Sequence, residues 1–288
     1  MLVLFTDTDT DVTPEVAKSL GYHLISMPYT LNGEDVWPYE SFETFDSKSY
    51  YDLLRSGVIP KTFGLNPEKY IKYFRPFLEN GDDILYVHFS KELSGTFSSL
   101  KIAIDELLEE FPERKIYTID SKTISIGSYL LNKLISNLYQ QGKTAEEIVE
   151  YANQERDKVA MYLYSDDLKF FRRSGRVSNF SAFFGTILGI HPIIHLDSNG
   201  YMKALTKARG RLGSLNKILD YVSELEEDIA NYPVIIGHAD CEDLAHKLSE
   251  LLENRFGKLN IEYVIVNPTA GAHCGPNSMG VAFHAKHR

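Results

Sequence analysis

Short apolar runs alternate with amphipathic stretches along the first half of the chain. Leu2–Thr6, His23–Met27, Ile84–Phe89 and Ile116–Ile119 are brief apolar runs, which predict strands. Between them the apolar spacing changes to three and four residues. Phe97–Glu110 places Leu100, Ile104, Leu107 and Leu108 on one side and predicts an amphipathic helix. Thr13-Pro14 and Asn66-Pro67 each offer a capping side chain followed by proline at the first helical position. Gly57 and Gly81 stop the helices predicted over Ser49–Arg55 and Pro67–Glu79. Two more helices are expected from about Gly127 to Gln141 and from Thr144 to about Arg156. Repeated strand–helix–strand units with short links imply a parallel sheet covered on both faces. Ligands bind such sheets beyond the carboxyl ends of the strands, here Asp7–Thr10, Ser90–Thr96 and Asp120–Ser125.

The rhythm changes after Val159–Tyr164, itself a predicted strand. Arg172–Ser181 reads as loop-rich, and Pro192–Leu196 and Tyr201–Thr206 read as a hairpin turning at Asp197-Ser198-Asn199-Gly200. Helix Leu215–Leu225, strand Val234–His238, helix Glu242–Phe256 and strand Ile261–Val266 complete the pattern. The expected fold is α/β in two domains. Residues 1–160 form a three-layer parallel-sheet domain, and residues 161–288 form a two-layer α+β domain with a mixed sheet. The length of 288 residues agrees, since domains run to roughly 100–200 residues.

Composition narrows the class. A 43% hydrophobic content is that of a packed globular chain, and the net charge of −10 repels phosphate-rich partners except at local basic patches. A nucleic-acid binder is therefore not expected. The only cysteines, Cys241 and Cys274, make neither a disulfide framework nor a CxxC metal or redox pair. Met1–Phe5 meets Asp7 at once and does not read as a signal peptide. Phe180–Leu196, the most apolar stretch, is too short and too interrupted by His191, Pro192 and His195 to cross a bilayer. These features predict a soluble cytoplasmic protein.

Several motifs could carry chemistry. Asp7-Thr8-Asp9 after a strand is spaced like the carboxylate pair of a magnesium-dependent phosphatase of the haloacid-dehalogenase type. Asp11 stands where such enzymes carry threonine or valine, and Asp82-Asp83 precedes its strand instead of following it. The competing reading is a strand-end loop that caps the next helix. Leu93-Ser94-Gly95-Thr96 at a helix start offers either a cap or an anion site for a carboxylate or single phosphate. It lacks the lysine of a nucleotide-phosphate loop. Arg172, Arg173 and Arg176 form one basic cluster, and Lys207, Arg209 and Arg211 a second; both read as solvated loops or as docking sites for phosphate or an acidic partner. Ala270–Asn277 reads as a tight glycine-flanked loop presenting a lone histidine, His273. Cys274 beside it lacks the acid or second base that a thiol nucleophile needs.

Taken in order, these motifs resemble the DegV family of bacterial fatty-acid-binding proteins over nearly the whole chain. The resemblance rests on Phe5-Thr6-Asp7-Thr8, Lys61–Glu68, Leu93–Phe97, Asp120–Gly127, Ser174–Ser178, Leu188–Ile193, Lys207–Gly210 and His273–Gly275. It departs at Phe63-Gly64-Leu65, where the family carries serine-glutamine-proline, and at Asn277-Ser278, where the family has small residues.

The resemblance implies a carrier without catalytic residues, metal or cofactor. A long-chain fatty acid such as palmitate would lie between the domains, its carboxylate at Thr62, Ser94, Gly95, Thr96 and His273. Its tail would run past Ile124, Ser125, Ile126, Phe184, Ile187 and Leu188. A separate fatty acid kinase would phosphorylate the presented carboxyl group and meet Arg172, Arg173, Arg176 and Arg209. The alternatives are the phosphatase using Asp7 and Asp9 and a dihydroxyacetone-kinase-like subunit, for which His273 is poorly suited. No stable membrane insertion is implied.

Overall fold

The computed structural model describes residues 1–178 and 189–288. The first half runs β1 (Leu2–Asp7), α1 (Pro14–Leu20), β2 (Tyr22–Ile25), β3 (Tyr29–Leu31), β4 (Glu34–Val36), α2 (Ser47–Arg55), β5 (Lys61–Thr62), α3 (Pro67–Glu79), β6 (Asp83–His88), α4 (Thr96–Glu110), β7 (Ile116–Asp120), α5 (Ile126–Gln140) and α6 (Ala145–Glu155). A four-stranded sheet has the order β2-β1-β6-β7, and every pairing is parallel. Alternation along β1 sends neighbouring side chains to opposite layers. Phe5 packs edge-on against Phe74 and Phe77 of α3, whereas Thr6 accepts a 2.9 Å hydrogen bond from Asn132 of α5. The sheet is thus the middle of three layers, as expected. A separate antiparallel sheet, β4-β3-β5, sits beside it.

The second half runs β8 (Val159–Tyr164), α7 (Leu168–Ser174), β9 (Val177–Ser178), β10 (Ile190–Leu196), β11 (Met202–Arg209), α8 (Gly210–Leu225), β12 (Val234–His238), α9 (Glu242–Phe256), β13 (Ile261–Ile265), α10 (Pro268–Cys274) and β14 (Met279–His284). Its sheet has the order β13-β12-β14-β8-β10-β11-β9. The β13-β12 and β11-β9 pairs are parallel and the others antiparallel. One face packs on Leu215, Ile218 and Val222 of α8 and Ala245, Leu248 and Leu252 of α9. The other face, with Met161, Ile235 and Ala282, merges with the core of the first half. Helix α5 lies between the two sheets. It touches β8, β12 and β14, and every residue from Ile126 to Asn132 is buried.

Three local expectations are corrected. Arg172–Ser174 belongs to α7, capped by Asp167 and ended by Gly175 at φ 66°. The Lys207–Arg211 cluster is the end of β11 and the start of α8, not a loop. His273 lies in α10, a short helix whose cap is Asn267, with its side chain accepting from the Ala270 N–H. Strand β14, central in the second sheet, is not anticipated by any alternating pattern because all six of its residues are buried.

Candidate functional site

The carboxyl ends of β1, β6 and β7 converge on a cavity closed from the other side by the second sheet and α10. Its volume is about 120 Å³, roughly ten times the 10–15 Å³ that one water needs. The wall is mostly apolar, with Phe89, Leu93, Ile124, Ile126, Met161, Leu163, Phe171 and Val266 contributing from both halves. Polar groups are few: Asp9, Thr62, Ser94, Ser125, Arg176, Thr269, His273 and Ser278. This combination suits a largely apolar ligand oriented by a few polar contacts.

Thr62 and His273 reach the cavity from opposite halves. Thr62 is held by β5 in register with Tyr29 of β3. The following loop is pinned to the start of α4, where Thr96 Oγ1 accepts the Leu65 N–H at 2.9 Å and pairs with the Tyr70 hydroxyl at 3.0 Å. Gly64 permits this approach, since a Cβ there would lie 3.1 Å from Thr96 Cβ. Thr62 Oγ1 then sits 2.9 Å from His273 Nε2. Burial pushes the His273 ring down to about 4, and the charges of Arg176 and Arg173 add to the effect. The imidazole is therefore neutral at pH 7 and offers one donor and one acceptor nitrogen.

The acidic segment after β1 makes a buried clamp. Asp11 accepts from the Asn267 backbone at 2.8 Å and side chain at 2.6 Å, and also from Ser125 Oγ. Asp9 accepts from Thr269 Oγ1 and lines the cavity. Burial raises Asp9 to about 7, with the neighbouring Asp11 contributing, and burial raises Asp11 to about 6. Ser125 pays in strain for its place in this clamp, with φ 54° and ψ −132°, a conformation unfavourable for a residue with a Cβ. It is held by the Asp11 bond and by its N–H donating to Asp9 O at 2.8 Å. Asp7 is fully buried and accepts from the Tyr86 hydroxyl at 2.9 Å and from the backbones of Asp9 and Phe89 at 3.0 and 3.4 Å. Its carboxyl group is turned into the fold and does not line the cavity, which disfavours the phosphatase alternative.

The structure brings together Thr62, Ser94, His273, Ile124, Ser125, Ile126 and Arg176 around this space. Gly95 and Thr96 are not among the described lining residues, and the Thr96 hydroxyl anchors the Thr62 loop instead. Arg172, Arg173 and Arg209 lie outside the lining and are exposed. Phe184, Ile187 and Leu188 fall outside the described residues. Sequence reasoning missed Thr269 and the cavity-facing role of Asp9. The available signal was Asn267-Pro268, a cap followed by proline of the kind that marked the other helix starts.

A family model described as "Uncharacterised protein, DegV family" matches residues 1–286. The chain belongs to the DegV family. A DegV domain-containing protein of Clostridium perfringens is 29% identical over 288 residues, covering 98% of this chain and 96% of the relative. Among solved structures, a DegV family protein from Thermus thermophilus described by its fatty acid binding superposes with a TM-score of 0.87 at 24% identity, over 99% of each chain. DegV of Bacillus subtilis, described as a fatty acid binding protein, gives 0.83 at 22% identity, also over 99% of each chain. A DegV family protein from Eubacterium eligens loaded with heptadecanoic acid gives 0.85 at 20% identity, over 99% of this chain and 100% of that one. These likenesses establish the DegV fold, and fatty acid binding is a property of those DegV proteins. Among the described residues of this chain, no helix is long and apolar enough to cross a membrane.

Proposed function

We propose that this protein is a carrier that holds a long-chain fatty acid in the cavity between its two sheets. The observation that carries the reading is an apolar space entered by few polar groups, among them the Thr62–His273 pair. The carboxylate lies at Thr62, Ser94 and His273, with Arg176 supplying positive charge at the exposed edge. The tail runs past Ile124 and Ile126. Burial of each methylene contributes about 0.8 kcal/mol, so a long chain gains on the order of 10 kcal/mol before ordering costs. A neutral hydrogen bond adds about 1 kcal/mol. The tail therefore supplies affinity, and the polar groups fix orientation and keep the carboxylate satisfied.

In this reading the protein performs no chemistry itself and presents the carboxyl group to a fatty acid kinase. Arg172, Arg173, Arg176 and Arg209, all exposed, are the residues offered to that partner. The support is the family membership and the clustering of Arg173 and Arg176 near His273. The test has two arms. Solvent extracts of protein purified from a bacterial host are analysed by mass spectrometry, and delipidated protein is titrated with palmitate. A co-purified long-chain acid and saturable binding are expected; failure of the delipidated, folded protein to bind any fatty acid removes the proposal. Acyl phosphate formation in a mixture with a purified fatty acid kinase tests the presenting role, which fails if the kinase works equally well without the carrier.

A further inference from the structure

The cavity wall adds to branched and aromatic side chains a residue type that the rest of the interior lacks. The chain has five methionines. Met1 is exposed at the N-terminus, and all the others, Met27, Met161, Met202 and Met279, line this one cavity. Only 26 described residues line it in a chain of 288, so random placement would put fewer than one methionine there. Elsewhere the buried apolar core is built from leucine, isoleucine, valine, alanine and aromatic residues, without methionine.

The four methionines come from separate parts of the fold. Met27 follows β2, Met161 lies within β8, and Met202 and Met279 open β11 and β14. They therefore surround the space from both halves instead of plugging one packing defect. A methionine side chain is unbranched, has three rotatable bonds and a polarisable sulfur, and changes rotamer at low cost. Branched and aromatic side chains hold a fixed shape. A wall in which four flexible methionines stand among side chains of fixed shape is suited to ligands of one chemical class and varied contour.

We infer that these four methionines make the acyl channel compliant, so that straight saturated and cis-bent monounsaturated chains of equal length bind with similar affinity. This rests on the fatty-acid reading above. The two readings separate experimentally.

Delipidated wild-type protein and the triple variant Met161→Leu, Met202→Leu, Met279→Leu are titrated with hexadecanoic acid and with cis-9-hexadecenoic acid. Leucine nearly conserves volume, a change that cores usually tolerate. Wild-type Kd values for the two acids are expected to agree within about threefold, and the variant's ratio to shift by about tenfold as the wall stiffens. The single variants Met161→Leu and Met202→Leu provide the same comparison if the triple variant does not fold. Wild-type discrimination above tenfold, or a ratio unchanged by the substitutions, overturns the inference while leaving fatty acid binding intact. Binding of neither acid by folded wild type removes both readings.

Discussion

Thr62 Oγ1 lies 2.9 Å from His273 Nε2, so a short strand of the first half meets a short helix of the second at the cavity wall. The bond joins residues 211 positions apart. Burial and the charges of Arg176 and Arg173, not this bond, keep the imidazole neutral.

Replacing Thr62 by valine removes a cavity-facing hydroxyl while nearly conserving shape. Fatty acid affinity is expected to fall by about tenfold, equivalent to about 1.4 kcal/mol, with the melting temperature lowered by a few degrees at most as His273 loses this partner. Isothermal titration of delipidated protein measures the first and calorimetric melting the second. Unchanged affinity would remove Thr62 from the head-group site.

Asp9 supplies a pH dependence of definite sign. Its carboxyl group holds a proton to about pH 7 in the native state, against an ordinary value of 3.8. The native state therefore binds the extra proton, and the associated stability is complete below the ordinary value and is lost as pH rises through about 7. Asp9→Asn should match wild type near pH 3.5 and become progressively more stable than it as pH rises to 8. A gain of about 1 kcal/mol would appear as about 2–4 °C in melting temperature. An equal difference at both pH values would sink this account.

Gly237 gives Ile126 room at the cavity wall, since a Cβ there would lie 2.4 Å from Ile126 Cγ2. Gly237→Ala should push Ile126 into the cavity. Eighteen-carbon acids are then expected to lose more affinity than twelve-carbon acids, as measured by competition against a fluorescent fatty acid. An equal loss for both would show that Ile126 does not limit the channel.

Tyr51 is fully buried and donates its hydroxyl to Val266 O at 2.8 Å, tying α2 to the entry of α10. Tyr51→Phe leaves that carbonyl without this donor, at a cost of about 1–3 kcal/mol. Urea denaturation should show a lower midpoint with an unchanged slope. No shift would mean that the carbonyl finds another donor.

Elements defined by local signals were legible in the sequence. Pro67–Glu79 was marked by Asn66-Pro67 at one end and Gly81 at the other, and the structure has those bounds. Glu242–Phe256 is likewise ended by Gly257. Strands β3, β4 and β5 escaped because two or three residues carry no usable periodicity. Helix α10 looked like a loop because Gly271 and Gly275 flank His273, yet Gly271 is there to admit Tyr51, whose hydroxyl would lie 2.6 Å from an added Cβ. Thr62 entered through the family resemblance alone, and His273 stood out in the sequence only as a lone histidine between glycines, its role coming from the resemblance. Their contact, the Asp9–Thr269 bond and the ring of methionines all join residues distant in sequence, and no single-chain pattern encodes such pairings.

Helix α5 is shared between the two sheets, and this determines how the chain must unfold. Parting the sheets would expose the same helix to water on one side or the other, and the core that unites Leu131 with Ile235 would be cut. The core of the first half and the inner face of the second sheet both close on it, while α8 and α9 cover only the outer face. Thermal unfolding is therefore expected as one cooperative calorimetric transition, with equal van't Hoff and calorimetric enthalpies. On the fatty-acid reading proposed above, ligand exchange is expected by local movement at the rim, because parting the two halves would break this shared core.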